Sequence, residues 1–549
     1  MKNIYFYLFL SLATVFTISC KKELEEDSRS QVTDEYLNTP DGLQSNVNAA
    51  YSFLRKYYGT ELGGNLSVSG TDEYTAGMSA DKDYNSYSSN LNPTKINFTT
   101  AWDNLYAGIN NCNAIINRAP NITGMDEALK TTRVAEARFL RAQFYFLLVQ
   151  MYGPVHLSLT ETQTIITAAK RTPVADVYKT IIDDLDFAMQ NLPAVASNFG
   201  RATKPAAEHL AAKVYLTRAG IANDQADYAK AAELAKGVIS NYSFRLLDDF
   251  SDVFAQGAGE QNNEVIFSVQ YSQNVLTNGE GNQLHLFFLF GYDLQPGMKR
   301  DIANGRPFSR FRPTAYNLNT VYNHQLDGRY DRTFKRVYLC NNAGDYTING
   351  RQVKLNVGDT AVYFPDAEWT AEQIAQKNYT VYPPSKVTEV VYPTLSKFLD
   401  PLRKDVNDAP GNRDFILFRL GETYLIAAEA LMLSGKTGEA VTFINTLRRR
   451  AAKTGATAEQ TTANKSAMEI TESQLDLNFI LDERMRELNG EHQRWFDLVR
   501  TKQLVNRVKL YNQLGAANIM DFHMLRPIPQ SQIDRTDGGI TAFPQNGGY

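Results

Sequence analysis

The sequence predicts a mainly α fold: a tetratricopeptide-like helical-repeat scaffold that carries a loop-rich, partly β variable subdomain. Three observations point there. Apolar residues recur at helical spacing towards both ends of the chain. Small and large residues alternate along those helices, and Ala135-Glu136-Ala137-Arg138-Phe139-Leu140 is echoed by Ala428-Glu429-Ala430-Leu431-Met432-Leu433. From about Phe267 to Asp400 the period breaks and turn formers multiply. A strict repeat of about 34 residues is absent, so an ordinary helical bundle stays open as the alternative.

The elements follow in order. Thr99 to Ala119 carries Trp102, Leu105, Tyr106, Ile109 and Ile116 near helical spacing, and Pro120 closes it. Glu127 to Tyr152 continues until Gly153-Pro154. A third helix opens at Thr172-Pro173, read as an N-cap and a proline at N1, and shows Val177, Ile181, Leu185 and Leu192. A fourth starts near Thr203, and a fifth runs from Tyr228 to about Ile239. In the irregular middle, Gln352-Val353-Lys354-Leu355 reads as a strand. Helical patterning returns from Phe415 through Leu433, then from Gly438 to Ala452. One further helix begins near Asn478 and includes Asp482, Arg486, Arg494, Asp497 and Arg500; Leu525 to Gln530 onward reads as extended.

The first twenty residues are a separate signal. Lys2 precedes an apolar run from Ile4 to Ile18 that ends in Thr17-Ile18-Ser19-Cys20. Such a run fits the core of an export signal and is short for a membrane span. Small Ser19 before Cys20 fits lipoprotein processing, which would leave Cys20 as the acylated first residue; Thr17 stands where Leu is usual. A plain secretory leader with an incidental Cys20 is the alternative. The expected division is a lipoprotein signal peptide over 1–20, a flexible acidic tether over 21–34 and an N-terminal helical scaffold over 35–266. A variable insert over 267–413 and C-terminal helices with a tail over 414–549 complete it.

Composition narrows the function. The 549 residues are 43% apolar, ample for a large core, and the net charge of −4 argues against nucleic acid. Besides Cys20 there are only Cys112 and Cys340, whose pairing the sequence leaves open. Tempting catalytic fragments fail on inspection. Ser434-Gly435-Lys436-Thr437 follows a helix and reads as a C-cap. Asp81-Lys82-Asp83-Tyr84-Asn85 imitates a calcium loop, but Ser86 replaces its turn glycine. The His residues show no paired metal-ligand spacing, so no metal and no cofactor is expected. No G-x-S-x-G elbow occurs.

Four segments and a closing fifth carry a family resemblance. Ala135 to Phe146 with Tyr152-Gly153-Pro154-Val155 resembles the "AEARFLRAxxYFxLVxxYGxVP" segment of the SusD/RagB family. Phe418 to Ala430 resembles its "RLAEvYLiaAEA" helix, with Gly421 where Ala is frequent, and Ile444 to Ala451 its "INxvRxRA" turn. Asp482 to Leu488 and Gly490 to Arg500 are similar to its "ERxxELxGExxRWxDLxR" signature, and Leu525-Arg526-Pro527-Ile528-Pro529 to its "LxPIP" ending. The resemblance implies a surface-exposed, lipid-anchored outer-membrane protein that captures a nutrient, generally an oligosaccharide. The implied partner is a SusC-like TonB-dependent barrel. A peptide binder of the RagB branch, a surface glycan hydrolase and a purely structural lid are the alternatives.

The signature residues Arg484, Arg486, Glu487, Arg494, Asp497 and Arg500 read as structural charge pairs along one helix, and Trp102 and Trp495 as core. Sugar recognition needs aromatic faces beside amides, carboxylates and guanidiniums. Two stretches outside convincing helices supply that mixture, and the resemblance implies a ligand site on loops in comparable parts of the chain. From Asp72 to Asn92 the candidates are Asp72, Tyr74, Tyr84, Asn85 and Tyr87; from Phe287 to Arg312 they are Tyr292, Arg306 and Phe308. Trp369 is a further candidate in the insert.

Overall fold

The computed structural model describes residues 33–549. The export signal, Cys20 and all of the acidic tether before Thr33 lie outside the described residues. Seven helices form a continuous stack in which each packs on the next: Ile96–Arg118, Glu127–Tyr152, Val174–Asn191, Lys204–Ala222, Gln225–Asn241, Leu420–Leu433 and Thr437–Ala451. Pro40–Ser52, capped by Thr39, braces the first two. The fold is thus mainly α, with only small sheets. Cores follow the small/large alternation. Ala212, Ala219, Ala231 and Ala235 meet Ala427, Ala428 and Ala430 in one buried cluster, which brings those helices close together.

Between Asn241 and Leu420 the chain leaves the stack and returns. The excursion is tied at its base by an antiparallel pair, Val265–Val269 with Phe415–Arg419. Its body holds short strands around a separate aromatic cluster that includes Phe290, Tyr292, Tyr338, Phe364 and Tyr392. The expected strand is present as Arg351–Leu355, hairpinned to Gly344–Ile348.

Several expectations are corrected. Phe415–Arg419 is a strand, and the helix begins only at Leu420; a short apolar run running directly into a helix carries no period of its own. The segment after Asn478 forms two helices, Leu477–Leu488 and Arg494–Arg500, broken where Gly490 and His492 take φ of +75° and +58°. Pro173, not Thr172, occupies the N-cap of Val174–Asn191, because Thr172 bridges back to Val155. Asp34 belongs to a helical turn, Asp34–Leu37, capped by Thr33, and Gln530 opens the short helix Gln530–Arg535. The residues imitating a calcium loop serve otherwise: Asp81 and Asp83 hold the Lys95 ammonium at 2.9 and 2.7 Å. Cys112 and Cys340 are free and buried in different clusters. Gly435 ends its helix with φ of +77°, as the C-cap reading expects.

Burial of charge is the most unusual feature. Glu487, fully enclosed, receives Arg419 at 2.8 Å, Arg329 at 2.9 Å and Arg450. Glu483 receives Arg329 and Arg448 at 2.8 Å, and Arg486 at 3.0 Å. A second group joins Glu422 to Lys213 at 2.7 Å, His209 at 3.2 Å and Arg484 at 3.4 Å, and Arg484 passes on to Asp497 at 2.7 Å. The signature residues are therefore structural, as read, but most of their pairs cross between elements rather than run along one helix.

Removing one partner leaves the others charged and dry. Glu487→Gln should lower unfolding free energy by about 3–5 kcal/mol, whereas Glu439→Gln, which breaks a surface pair with Lys236, should stay within about 0.5 kcal/mol. Urea denaturation of the two variants checks the contrast.

Burial also sets a pH dependence. The Glu73 carboxyl, enclosed and beside Asp72, is pushed up to about 8, burial being the largest cause. Its folded form holds a proton that the unfolded chain releases near the ordinary carboxylate value. The contribution of Glu73 to stability is therefore complete below about pH 4.5 and is lost as pH rises towards 8. Glu73→Gln should remove that loss, so the Tm advantage of the variant over wild type should grow from pH 5 to pH 8. A constant difference across that range contradicts the assignment.

Candidate functional site

The two stretches singled out in the sequence meet. Tyr74–Ala76 pairs antiparallel with Phe311–Pro313, setting Thr75 opposite Arg312. Along the second strand Phe311 and Pro313 are buried, while Arg312 lies only partly covered. Beside this pair opens a cleft of about 540 Å³ lined by Thr75, Arg312, Tyr316, Asn319, Tyr511 and Gln513, among others. Its volume falls within the roughly 300–1,000 Å³ usual for small-ligand sites.

Two tyrosines dominate its wall. Tyr316 and Tyr511 stack with ring centroids 3.7 Å apart and planes 16° from parallel. Tyr316 sits in Ala315–Asn319, whose N-cap Thr314 accepts from the Asn317 N–H and donates to the Asp72 carbonyl at 2.6 Å. The Asn317 amide donates to the Glu73 carbonyl at 3.1 Å and accepts from Asn489 at 2.7 Å. Tyr511 ends the helix Leu504–Tyr511, and the next residue, Asn512, donates to the Thr71 carbonyl at 2.7 Å and accepts from Thr75 at 3.0 Å.

Charge fixes the pair from behind. The Arg507 guanidinium lies 5.5 Å from the Tyr316 ring centre and 5.3 Å from that of Tyr511. It donates to Asp72 at 2.5 Å, and Arg494 makes two bonds of 2.6 Å to the same carboxylate. Burial alone would raise the Asp72 pKa; Arg494 and Arg507 outweigh it and hold the carboxyl below its ordinary value. The Tyr316 hydroxyl donates to Asp482 at 2.8 Å.

Most residues expected to touch a ligand are enclosed. Asp72, Tyr74, Tyr84, Asn85, Tyr87 and Tyr292 are all buried and offer no face to a ligand. Asp72 anchors the two arginines. The Tyr74 hydroxyl donates to Asn489 at 2.7 Å, that of Tyr87 to the Gly70 carbonyl at 2.7 Å and that of Tyr292 to the Gly305 carbonyl at 2.6 Å. Asn85 accepts from the Gly70 N–H at 2.9 Å, and Tyr84 packs edge-on against Phe98. These side chains staple irregular backbone to the scaffold. Arg306 and Phe308 do reach the surface, with the Arg306 guanidinium 5.0 Å and that of Arg310 5.8 Å from the Phe308 ring centre. Trp369 is half-buried against Tyr363 and beneath Lys377. Arg312, Tyr316, Tyr511 and Gln513 escaped sequence reading. Arg312 closes the second candidate stretch, and Tyr316 lies just beyond it; Tyr511 sits at ordinary helical spacing.

Comparison with known proteins places the chain. A sequence profile described as "SusD family" matches residues 263–549, and one described as "Starch-binding associating with outer membrane" matches residues 23–216. SusD-like protein P25 of Formosa agariphila is 26% identical over 572 residues, spanning 100% of this chain and 99% of that protein. Starch-binding protein SusD of Bacteroides thetaiotaomicron is 26% identical over 460 residues, spanning 78% of this chain and 74% of that protein. The solved structure of a laminarin binding SusD-like protein shares the fold, with a TM-score of 0.67 at 22% identity over 93% of this chain and 100% of that one. With a family profile covering more than half of its length and the helical stack just described, the chain belongs to the SusD family.

Proposed function

We propose that this protein binds oligosaccharide at the cell surface in the cleft walled by Tyr316 and Tyr511. It would deliver that ligand to a SusC-like TonB-dependent outer-membrane transporter while tethered to the membrane through a lipid on Cys20. The observation that carries the reading is the stacked tyrosine pair, held rigid by Arg507 and set among the free polar groups of Arg312, Asn319 and Gln513. Pyranose C–H faces pack on aromatic surfaces, and hydroxyls take up amide and guanidinium groups. Membership of the SusD family supports the ligand class, since one relative is named for starch and a structural neighbour for laminarin. Arg306 and Phe308 extend the candidate surface. The protein would hold its ligand without cleaving it: glycoside hydrolysis ordinarily runs on two carboxylates, and the lining of this cleft is built from Thr, Asn, Gln, Arg, Tyr and apolar side chains.

Affinity electrophoresis against a panel that includes starch, laminarin and acidic polysaccharides tests the site. Tyr316→Ala and Tyr511→Ala should each weaken retention about 5- to 150-fold, a stacking loss of about 1–3 kcal/mol. Tyr292→Phe, which keeps the buried ring, should retain wild-type binding. Unchanged retention in both cleft variants removes this cleft as the binding site, and retention of peptides in place of glycans transfers the assignment to a peptide binder.

A further inference from the structure

The charge inventory of the cleft points beyond a neutral sugar. Arginines around it are paired: Arg310 with Glu61 at 2.9 Å, Arg494 with Asp72 at 2.6 Å and Arg507 with Asp72 at 2.5 Å. Arg312 is different. It is partly buried in the cleft wall, and no carboxylate among the described residues pairs with its guanidinium. Glu389, which acts on it through space, is already joined to Lys82 at 2.8 Å. Burial lowers the Arg312 pKa from the ordinary arginine value, as expected of a cation drawn from water without a close counter-charge. Neither Asp nor Glu contributes to the cleft lining.

We infer that Arg312 receives an anionic substituent of the bound saccharide, a carboxylate or a sulfate ester, so that the preferred cargo is an acidic oligosaccharide. The inference rests on the cleft being the glycan site. The chemistry is specific. A planar guanidinium can meet two oxygens of either anion with parallel N–H donors, and the partial exclusion of water strengthens that bond. Its position also suits a sugar ring carried on the Tyr316–Tyr511 wall, because both features line one cleft. Arg312 projects from a strand whose neighbours Phe311 and Pro313 are buried, so its backbone is fixed while the head group stays accessible. A neutral glucan would cover this cation without supplying a counter-charge.

The test uses the full chain, purified in detergent, with Arg312→Gln, Arg312→Lys and Tyr316→Ala, each first checked for wild-type Tm. An array presents uronate oligosaccharides, their methyl esters, sulfated galactan oligosaccharides and neutral glucans. The expected result is that the tightest ligand is acidic and that Arg312→Gln binds it about 10- to 100-fold more weakly. Arg312→Lys should fall between, because it keeps charge but loses the fork. Binding by wild type should also weaken as salt rises from about 0.05 to 0.5 M. Preference for uronates that methyl esterification abolishes identifies the carboxylate, and preference for the sulfated galactans identifies the sulfate. A neutral glucan as best ligand, or acidic binding that Arg312→Gln leaves intact, overturns the inference. If Tyr316→Ala still abolishes binding in that case, the cleft stands and only the charge assignment fails. If no glycan on the array binds, both readings fall.

Discussion

Glu487 is the point on which the architecture turns. Its carboxylate lies at the end of Leu477–Leu488 and collects guanidiniums from the strand Phe415–Arg419, the helix Thr437–Ala451 and the insert residue Arg329. Arg419 in turn reaches Glu264 at 3.0 Å and Glu491 at 2.7 Å, and Arg450 reaches Glu264 at 3.0 Å. Scaffold, returning strand and excursion therefore share one buried knot. Taken singly, such pairs add little net stability, since desolvation offsets attraction. Their consequence is geometric. Each guanidinium spans two or more elements, so sliding any one of them by a residue would leave charges unmatched in a dry interior. An apolar seam of equal volume would tolerate that slide far better.

The same logic reaches the surface through Asp72. This carboxylate is enclosed, yet its partners Arg494 and Arg507 belong to the C-terminal helices, and Arg507 touches both cleft tyrosines. The path from core to cleft wall is thus two contacts long. Stacked rings gain recognition value only when they do not have to be ordered at binding. Here the ordering is done by the fold, through Arg507 behind the rings, Asp482 on the Tyr316 hydroxyl and Asn512 at the end of the Tyr511 helix.

How much of this was legible follows from where each signal resides. The stack was readable because helical period and small residues are local properties: Glu127–Tyr152 and the helix behind Thr203 stand where the pattern puts them. The break at Asn489-Gly490 is a breaker dipeptide, but the surrounding run of charge pairs suggested continuity. The strand Phe415–Arg419 declares itself only through Val265–Val269, far back in the chain. The candidate cleft was half legible. Both candidate stretches were found and do come together, but composition could not say which side of the loop each ring occupies. Tyr87 and Tyr292 lie in Gly/Asn/Asp-rich sequence where their hydroxyls satisfy backbone carbonyls of irregular chain, and the Tyr74 hydroxyl meets the Asn489 side chain, a need that grows with loop burial. Aromatics in such sequence answer two opposite demands, and only tertiary placement separates them.

That separation explains why the cleft residues were missed and why their arrangement is informative. Arg312 and Thr75 face each other on a pair only three residues long, and Tyr511 arrives from a helix that the sequence connects to neither strand. None of the three has a local motif. What unites them is their tie to the buried charges: Arg507, behind the Tyr511 ring, is joined to Asp72 and Asp482, and Thr75 donates to Asn512, the residue after Tyr511. Beside them, Arg312, with no carboxylate paired to it, lines the accessible cleft together with the stacked rings. The charges on either side of it are paired, Arg310 with Glu61 and Arg507 with Asp72, so the missing counter-charge at Arg312 is local to the cleft. A ligand that brings its own negative charge completes the pattern that the protein follows elsewhere in its interior.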